Sequence, residues 1–574
     1  MAHRRYQFGE FRLDAAGKVL FRGEKRIPLT PKVMDTLLLL VESSGNVVDK
    51  DELMKRVWPD TFVEEISLTR NISVLRKVLG DGDEGREFIE TIPKRGYRFV
   101  APVKGPAALE STSITDRVML AVLPIENLGR STKHDYFSDG LTEEMITHLA
   151  RLNPQRLGVI ARTSAMQYRS TGKSIQEIGR ELGVSYILEG SVRRAGHRLR
   201  ITAQLIQVRD ESHLWAESYE RRLGDILAVQ DDVARAVAKE IRIKLAPQDR
   251  PAVASSVNPQ AYEAYLKGRY LLNRRTVEAL QKSVQCFERA IQHDAKYPVA
   301  YAGLADSYLT LLDVGHLPTS EATKQAKEAA GRALRADDTL AEAHCSLGHA
   351  HFHDFNWSGA GREFSRAIEL NPNYANTHYY YCNYLVAVGR NDEAVAEAEW
   401  AQALDPMSLP AGTNLSNALY FAGRYEEAAT QALKVLDMDS TFYRAQQDLG
   451  RAYEQQGKYP QAIAAFRKAV ASSGRDSLFL AELAYANAVA GKQREALKLL
   501  QELKKASKKK YVSPYTLAVV STGLGNRSEA FSWLAKAFKV RDGALPFVKA
   551  NPRLAPLRSD PRFQRLLRRL NLAS

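Results

Sequence analysis

The sequence has little of what marks secreted, disulfide-stabilised or membrane-spanning proteins. It contains three cysteines in 574 residues, Cys286, Cys345 and Cys382, and none of them belongs to a CxxC pair. A disulfide framework or a zinc ribbon is therefore not expected, and the composition suits a reducing compartment. The longest early apolar run, residues 34–41, is interrupted by Asp35 and Thr36, whereas a membrane span needs roughly 20 apolar residues. We expect a cytoplasmic protein without a membrane segment.

Acidic residues are also fewer than basic residues. Lys and Arg number 81 against 67 Asp and Glu, which gives a formal net charge of +14. A positive excess favours polyanionic partners such as nucleic acid, although it does not identify one. At 574 residues the chain is too long for a single hydrophobic core, so we expect three or more domains.

Residues 1–103 show two strand-like stretches, three helical patterns and a final hairpin. The first helix, "TPKVMDTLLLLVESSG", has Thr30 as its N-cap and Pro31 at its first position. The third helix lies in "LTRNISVLRKVLGD", where Leu68, Ile72 and Leu75 recur at helical spacing. Its other face carries no carboxylate before Asp81 and presents hydroxyl, amide and cationic side chains: Thr69, Arg70, Asn71, Ser73, Arg76 and Lys77.

The neighbours of the third helix distinguish it from an ordinary solvated basic helix. It follows the short helix "KDELMKRVW" and the turn "WPDTFVEE", so it is the second element of a helix-turn-helix. The hairpin "IETIPKRGYRF" comes after it, with Lys94 and Arg95 at a tip where Gly96 permits a tight turn. A helix sized for the major groove with a basic wing beside it contacts a duplex at two places. The segment is therefore predicted to bind double-stranded DNA.

Residues 5–101 resemble the winged-helix effector domain of the OmpR/PhoB family, including the stretches "LTPKVMDTLLLLVES", "RVWPD" and "IETIPKRGYRF". The resemblance implies that the third helix enters the major groove and the hairpin enters the minor groove. It implies core positions for Leu68, Ile72, Leu75, Trp58 and Phe99. The implied DNA contacts are Arg70, Asn71, Ser73 and Val74 in the groove, Arg76 and Lys77 on phosphates, and Thr91, Lys94, Arg95 and Tyr97 on the hairpin. Ser73 and Val74 are uncharged where some relatives carry cations. The DNA sequence that those relatives recognise therefore cannot be assigned to this chain.

The layout of the chain resembles that of CadC-like regulators, in which the effector domain is N-terminal. The resemblance implies a one-component regulator of transcription with no phosphoacceptor domain in cis. The acidic turn "PDTFVEE" is interpreted as a helix connection, and contact with RNA polymerase is the alternative that the family supplies. Because a single winged helix contacts few bases, we expect a homodimer on adjacent half-sites.

The middle of the chain changes character. Residues 104–116 are small and polar with Pro and Gly, so they are predicted to form a linker. Residues 117–250 interleave strand and helix patterns, which predicts an α/β domain. The stretches "AVLPIENLG", "YFSDGLTEEMITHLARL" and "IGRELGVSYILEGSVRR" resemble the TolB-like domain, whose biochemical role is poorly defined. Glu143 and Glu144 are assigned to the dipole at a helix start. No catalytic residue is predicted. Arg162, Arg193 and Arg194 fit either an anion pocket or exposed strand ends.

From residue 258 to 542 a repeat replaces the strand patterns. Ala428, Ala462, Ala496 and Ala530 follow one another at 34-residue steps, and "LGRAYEQQGKYPQAIAAFRKA" carries the offsets of a tetratricopeptide motif. About eight such repeats predict an all-α solenoid, in which small residues let paired helices approach closely. Residues 543–574 are predicted to be a basic segment that caps the last apolar face.

The ninth position of each tetratricopeptide motif lines the concave groove in that family. This implies a polar partner groove for a protein or peptide, formed by His349, Asn383, Asn417, Arg451 and Tyr485. Solvated polar residues on an unused face are the alternative explanation. His349 and His353 lie one helical turn apart, yet neighbouring histidines occupy packing positions of the repeat. No metal site and no cofactor are therefore predicted.

The sequence thus predicts a multidomain fold: a winged helix-turn-helix (α+β), an α/β TolB-like domain and an all-α tetratricopeptide-repeat solenoid. The predicted function is sequence-specific DNA binding by a non-enzymatic regulator of transcription, with the repeats for partners or signal input. The alternative is a cytoplasmic scaffold whose winged helix does not bind DNA. A third hypothesis, a nucleotide cyclase joined to repeats, lacks a suitable motif.

Overall fold

The computed structural model describes residues 5–14, 19–22, 25–42, 44, 47–58, 65–80, 88–93, 95–101, 103–104, 117–129, 135–196, 198–242 and 257–572. Two compact units divide the chain, residues 1–113 and residues 114–574. Lys94, residues 59–64 of the acidic turn and residues 105–116 of the predicted linker lie outside the described residues. Among the helices that are described, none combines the length and apolar character that crossing a membrane requires.

The first unit contains two antiparallel sheets and three helices. One sheet has the order β4-β3-β2-β1-β8 and the other the order β5-β7-β6. The elements are β1 (Arg5–Phe8), β2 (Phe11–Asp14), β3 (Val19–Arg22), β4 (Lys25–Ile27), α1 (Pro31–Glu42), β5 (Val47–Asp49), α2 (Lys50–Val57), α3 (Glu65–Leu79), β6 (Ile89–Ile92), β7 (Gly96–Phe99) and β8 (Val103–Lys104). Each predicted strand-like stretch is a hairpin, and the first one turns at Gly9, where φ is +54°.

The core of the first unit joins the sheets to the apolar faces of the helices. Phe8, Phe11, Phe88 and Phe99 form a cluster of ring contacts, with centroids of Phe8 and Phe99 5.1 Å apart. Leu68, Ile72 and Leu75 pack into the same core and are almost fully buried, and Trp58 packs against it partly exposed. The apolar spacing of α3 therefore positions that helix, as predicted.

The second unit begins with a six-stranded mixed sheet. Strands β11, β9 and β12 are parallel, whereas β12, β13 and β14 form an antiparallel meander. The elements are β9 (Val118–Val122), β10 (Glu126–Asn127), α4 (Asp135–Ala150), β11 (Leu157–Val159), α5 (Arg162–Ala165), α6 (Ile175–Leu182), β12 (Tyr186–Ala195), β13 (Arg198–Gln207), β14 (Ser212–Arg222) and α7 (Ile226–Glu240). The helices α4 and α7 contribute to the core on the sheet, as an α/β arrangement requires.

Sixteen α-helices follow between residues 259 and 539, a part of the chain that is described without gaps, and they pack as eight successive pairs. They are α8 (Pro259–Leu272), α9 (Val277–His293), α10 (Pro298–Asp313), α11 (Thr319–Ala336), α12 (Ala341–His353), α13 (Trp357–Leu370), α14 (Ala375–Val388), α15 (Asn391–Leu404), α16 (Leu409–Phe421), α17 (Tyr425–Met438), α18 (Tyr443–Gln455), α19 (Tyr459–Ser472), α20 (Ser477–Val489), α21 (Gln493–Ala506), α22 (Pro514–Gly523) and α23 (Arg527–Lys539).

Small residues hold each pair of helices close. A Cβ atom on Gly450 would lie 2.7 Å from the ring of Phe466, and one on Gly348 would lie 2.7 Å from the ring of Phe364. Both rings are fully buried, so the glycine of the first helix receives the aromatic side chain of the second. This is the physical reason for the repeated offsets in the sequence.

The C-terminal segment packs back onto the repeats. It contains two short 3-10 turns, Leu545–Val548 and Pro552–Leu557, and a final helix α24 (Pro561–Arg569). The Trp357 indole donates a hydrogen bond to the Leu570 carbonyl at 2.6 Å, and Arg541 pairs with Asp354 at 2.8 Å. The chain that follows the last repeat therefore packs against the third repeat, which is formed by α12 and α13.

Candidate nucleic-acid interface and partner groove

Helix α3 presents a continuous exposed face opposite its core face. The exposed residues are Ile66, Thr69, Arg70, Ser73, Val74 and Lys77. At the helix start Glu65 forms an ion pair with Lys50 of α2, which ties the two helices of the helix-turn-helix together. No other carboxylate occurs in α3. Of the groove residues predicted from the sequence, Arg70, Ser73 and Val74 share this face, and so does the predicted phosphate contact Lys77.

Asn71 does not share that face, so its predicted groove position is corrected. Its side chain is 8% exposed, and its amide donates hydrogen bonds to the Lys32 carbonyl at 3.1 Å and to Thr36 Oγ1 at 2.9 Å. Asn71 lies beside Leu75 at the edge of the apolar face of α3, where that face turns toward α1. The residue thus joins α3 to α1 inside the unit.

Arg76 bridges α3 and the hairpin. Its guanidinium donates hydrogen bonds to the Ile89 carbonyl at 2.7 and 3.2 Å and to Thr91 Oγ1 at 2.8 Å. The predicted roles of Arg76 on phosphate and Thr91 on the duplex remain predictions. The structure adds a positioning role, since this bridge sets the hairpin against α3.

The hairpin differs from the prediction at two residues. Tyr97 is 5% exposed and packs in the core, so its predicted exposure to DNA is corrected. Gly96 lies in β7, where an added Cβ would meet the Val48 carbonyl oxygen at 2.0 Å. Close approach to β5, rather than the tight turn expected from the sequence, is therefore what requires glycine. The Arg95 side chain is exposed, and its Nε atom lies 3.4 Å from Asp49 Oδ1.

Ile66 is a candidate contact that sequence reasoning missed. It is 72% exposed in the first turn of α3, on the same face as Arg70 and Ser73. The available signal was an isoleucine outside the apolar spacing of Leu68, Ile72 and Leu75. A large exposed apolar side chain beside polar ones suits the methyl group of thymine.

The predicted partner groove is largely occupied by the protein itself. Asn383 accepts a hydrogen bond from Asn414 at 3.2 Å, and Arg451 pairs with Glu482. Tyr485 is 7% exposed, and the guanidinium of Arg553 lies 4.6 Å from its ring centre. The prediction that His349, Asn383, Asn417, Arg451 and Tyr485 form one open row is corrected, because C-terminal chain fills the part near Arg451 and Tyr485. Arg553 belongs to the predicted basic C-terminal segment, and it is 4% exposed.

The middle domain is also docked on the repeats. Glu143 accepts hydrogen bonds from Arg269 of α8 at 2.8 Å and from Asn273 at 2.8 Å, and Glu144 accepts one from Tyr265 at 2.6 Å. Burial would raise the pKa of Glu143, but Arg269 and Arg162 outweigh it and hold that pKa below its ordinary value. The two glutamates lie inside α4, so their assignment to a helix start is corrected.

Arg162, Arg193 and Arg194, for which the sequence left an anion pocket or exposed strand ends open, have different surroundings. Arg162 lies 3.4 Å from Glu143, Arg194 pairs with Glu263 of α8 at 3.1 Å, and Arg193 is exposed. Further along the repeats, Ser164 binds Asp405 through its backbone N–H at 2.9 Å and its hydroxyl at 2.5 Å. These buried polar contacts join the sheet-containing region to the solenoid within one unit.

Three family models match parts of the chain. Residues 23–99 match the model described as "Transcriptional regulatory protein, C terminal". Residues 116–236 match "HilA/YgeH-like transcriptional regulator, second domain", so the predicted TolB-like identity of the middle domain is not confirmed. Residues 383–441 and 448–510 match the tetratricopeptide repeat.

Several named proteins are similar in sequence. A Rhizobium meliloti protein named as an adenylate cyclase is 32% identical over 284 residues, which cover 46% of this chain and 48% of that protein. The transcriptional regulator HilA of Salmonella typhimurium is 28% identical over 417 residues, which cover 72% of each chain. The transcriptional activator CadC of Escherichia coli is 36% identical over 96 residues, which cover 17% of this chain and 19% of CadC.

The chain therefore spans about half the length of the first of these relatives and more than two thirds of HilA. The winged-helix geometry of the first unit and the match over residues 23–99 agree with each other. The repeat geometry and the two tetratricopeptide matches agree in the same way. The chain is similar to HilA over 72% of its length, and it combines an OmpR/PhoB-type winged-helix domain, a sheet-containing middle region and C-terminal tetratricopeptide repeats.

Proposed function

We propose that the chain is a one-component regulator of transcription that binds double-stranded DNA in a sequence-dependent manner. The observation that carries this proposal is the exposed face of α3, which is free of carboxylates from Ile66 to Leu79. In one chain this face is combined with repeats of a kind that bind proteins, so DNA recognition and signal input are joined in one polypeptide.

The dimensions and chemistry of α3 fit the major groove. Its 15 residues span about 22 Å, and the groove admits a helix of this kind. Arg70 suits the acceptor edge of guanine, and Val74 and Ile66 suit thymine methyl groups. Lys77 and Arg95 suit phosphates, which fix the register without reading bases. Lys94 is assigned to the same phosphate role from the sequence alone.

Salt dependence of binding separates this proposal from the scaffold alternative. The full chain would be titrated on a duplex selected from a random pool and on an unrelated duplex, at several salt concentrations. We expect the logarithm of affinity to fall linearly with the logarithm of salt, with a slope of about −0.9 per phosphate neutralised. Binding that is weak and unaffected by salt would support the scaffold instead.

Two substitutions on α3 test the roles of its residues. Arg70→Ala should weaken binding to the selected duplex by about 1–3 kcal/mol while changing binding to the unrelated duplex much less. Lys77→Ala should weaken both alike and reduce the salt slope by about 0.9. Arg22→Ala, which removes an exposed cation from β3, is the matched control and should change neither. Equal effects of Arg70→Ala and Arg22→Ala would refute the assignment of α3.

We also propose that the chain acts in the cytoplasm, where bacterial DNA lies, and that it is not an enzyme. Glu143 and Glu144 are engaged in buried contacts with the repeats, which supports a structural role. The relative named as an adenylate cyclase makes cyclic-nucleotide formation the relevant test. We expect no turnover when the chain is incubated with ATP or GTP and divalent metal, and product formation above a heat-treated sample would overturn this proposal.

Partners besides DNA follow from the same proposal. We expect a homodimer on adjacent half-sites, because one winged helix contacts few bases. The homodimer can be tested by comparing operator occupancy by residues 1–105 with occupancy by the full chain. Equal occupancy at every concentration would contradict the homodimer. The tetratricopeptide repeats support a protein partner for the second unit. RNA polymerase is a further proposed partner, through the acidic stretch at residues 59–65 that the sequence predicts to connect two helices.

A further inference from the structure

Two histidines and an aspartate converge between the second and third repeats. His349 and His353 lie one turn apart on α12, with their Nε2 atoms 3.1 Å from each other. Asp313, at the end of α10, has its Oδ1 atom 3.5 Å from His349 Nε2. One ligand atom from each of the three residues lies within 4.8 Å of the other two. The spacing of the histidines was visible in the sequence, but the aspartate is added by the packing of α10 on α12.

The surroundings hold these three side chains in place. His349 and His353 are 4% and 8% exposed, while the Asp313 side chain is 29% exposed and gives a route from solvent. The ring of Tyr380 stacks on His349 with centroids 3.9 Å apart, and its hydroxyl donates to Asp313 Oδ2 at 3.2 Å. One tyrosine on the fourth repeat therefore orients two members of the cluster, as outer partners do in metal sites.

The three side chains are of the types that bind metal ions. Histidine binds a metal ion as the neutral imidazole, and aspartate binds it as the carboxylate.

We propose that Asp313, His349 and His353 bind a divalent transition-metal ion of the zinc class, which cross-links the second and third repeats. In a tetrahedral site with bonds of about 2.0–2.1 Å, neighbouring ligand atoms lie roughly 3.3 Å apart. The observed separations of 3.1 and 3.5 Å agree with this spacing. Two imidazoles and one carboxylate form the donor set of zinc sites that keep a fourth position open, whereas Mg²⁺ and Ca²⁺ prefer oxygen ligands.

The ion lies next to the junction between the middle domain and the repeats. A cavity of about 390 Å³ at this junction is lined by Glu143, Arg162 and Arg269 and also by Tyr380. Because Tyr380 contacts both His349 and Asp313, metal binding orders one wall of that cavity. The proposal is independent of DNA binding by the first unit.

Zinc titration of the full chain, without an affinity tag and after removal of metal with a chelator, is the direct test. We expect one Zn²⁺ per chain in competition with a chromogenic chelator, a higher midpoint of thermal unfolding with Zn²⁺ and no shift with Mg²⁺. Co²⁺ in place of Zn²⁺ should give visible absorption bands typical of four-coordinate imidazole and carboxylate ligation. An intact, folded chain that does not retain Zn²⁺ would overturn the proposal and leave a hydrogen-bonded His–His–Asp chain.

Substitutions locate the ion. His353→Gln and His349→Gln keep most of the side-chain volume, and each should weaken Zn²⁺ binding by about 100-fold or more, since loss of even an outer partner costs 10–100-fold. His344→Gln and His351→Gln remove imidazoles of the same helix and should leave affinity unchanged. Circular dichroism confirms that each variant is folded. A folded His353→Gln chain that binds Zn²⁺ as tightly as the wild type would refute the site.

Discussion

Arg553 allows the buried C-terminal contact to be tested quantitatively. It is 4% exposed, and its Nε and Nη2 atoms donate to the two carboxylate oxygens of Glu454 at 2.8 and 2.7 Å. Its Nη1 atom pairs with Glu482, which also pairs with Arg451. Arg553→Ala would therefore leave Glu454 as a buried charge without its bidentate partner, while Glu482 retains Arg451.

The expected cost is large because breaking a buried pair leaves one charge uncompensated. Removing one partner of such a pair destabilises a protein by about 3–5 kcal/mol. Burial already raises the pKa of Glu454 even with Arg553 present. Without the arginine this pKa should rise further, so the loss of stability should shrink as the pH is lowered and Glu454 takes up a proton. Adding Glu454→Gln to Arg553→Ala should recover part of the loss at neutral pH.

Amide hydrogen exchange and urea unfolding measure this effect. We expect faster exchange in α18 and α20, which carry the two glutamates, and unfolding at a lower urea concentration. Arg565→Ala removes an exposed arginine of the same segment and should change stability by no more than about 0.5 kcal/mol. If Arg553→Ala behaves like Arg565→Ala in both assays, the buried ion pairs do not hold the segment in place and the reasoning fails.

Three further changes have defined outcomes. Asn71→Ala should destabilise the first unit by about 1–3 kcal/mol through its lost hydrogen bonds, measured by urea unfolding, and should lower DNA affinity alike on all duplexes. Gly96→Ala should cost about 3 kcal/mol because its Cβ meets the Val48 carbonyl, and the amides of β5 should lose exchange protection. Burial raises the pKa of Asp448 from its ordinary 3.8 to about 7, so the folded state binds the proton more tightly. Stability should fall by up to about 1.4 kcal/mol per pH unit from roughly pH 4 to pH 7, and Asp448→Asn should remove that fall in unfolding measured at both ends of the range. An unchanged stability in any of these three measurements would contradict the contact concerned.

The repeats and the core of α3 were predictable because both depend on local spacing. Ala428, Ala462, Ala496 and Ala530 share one frame and are all fully buried. A helix turns by the same angle at every residue, so its apolar positions indicate which side faces the core. The same spacing could not predict whether the Asn71 side chain is buried or exposed, because Asn71 lies on the boundary between the two faces of α3.

The sequence by itself determined which segments form helices and strands, where the tetratricopeptide frame runs and which face of α3 is buried. Only the tertiary structure decided that Arg553 enters the groove, that Tyr97 turns inward and that Asp313 meets His349 and His353. The physical reason is that a polar side chain is stable inside a protein only beside a complementary partner. Those partners come from distant parts of the chain, so no local sequence pattern predicts them.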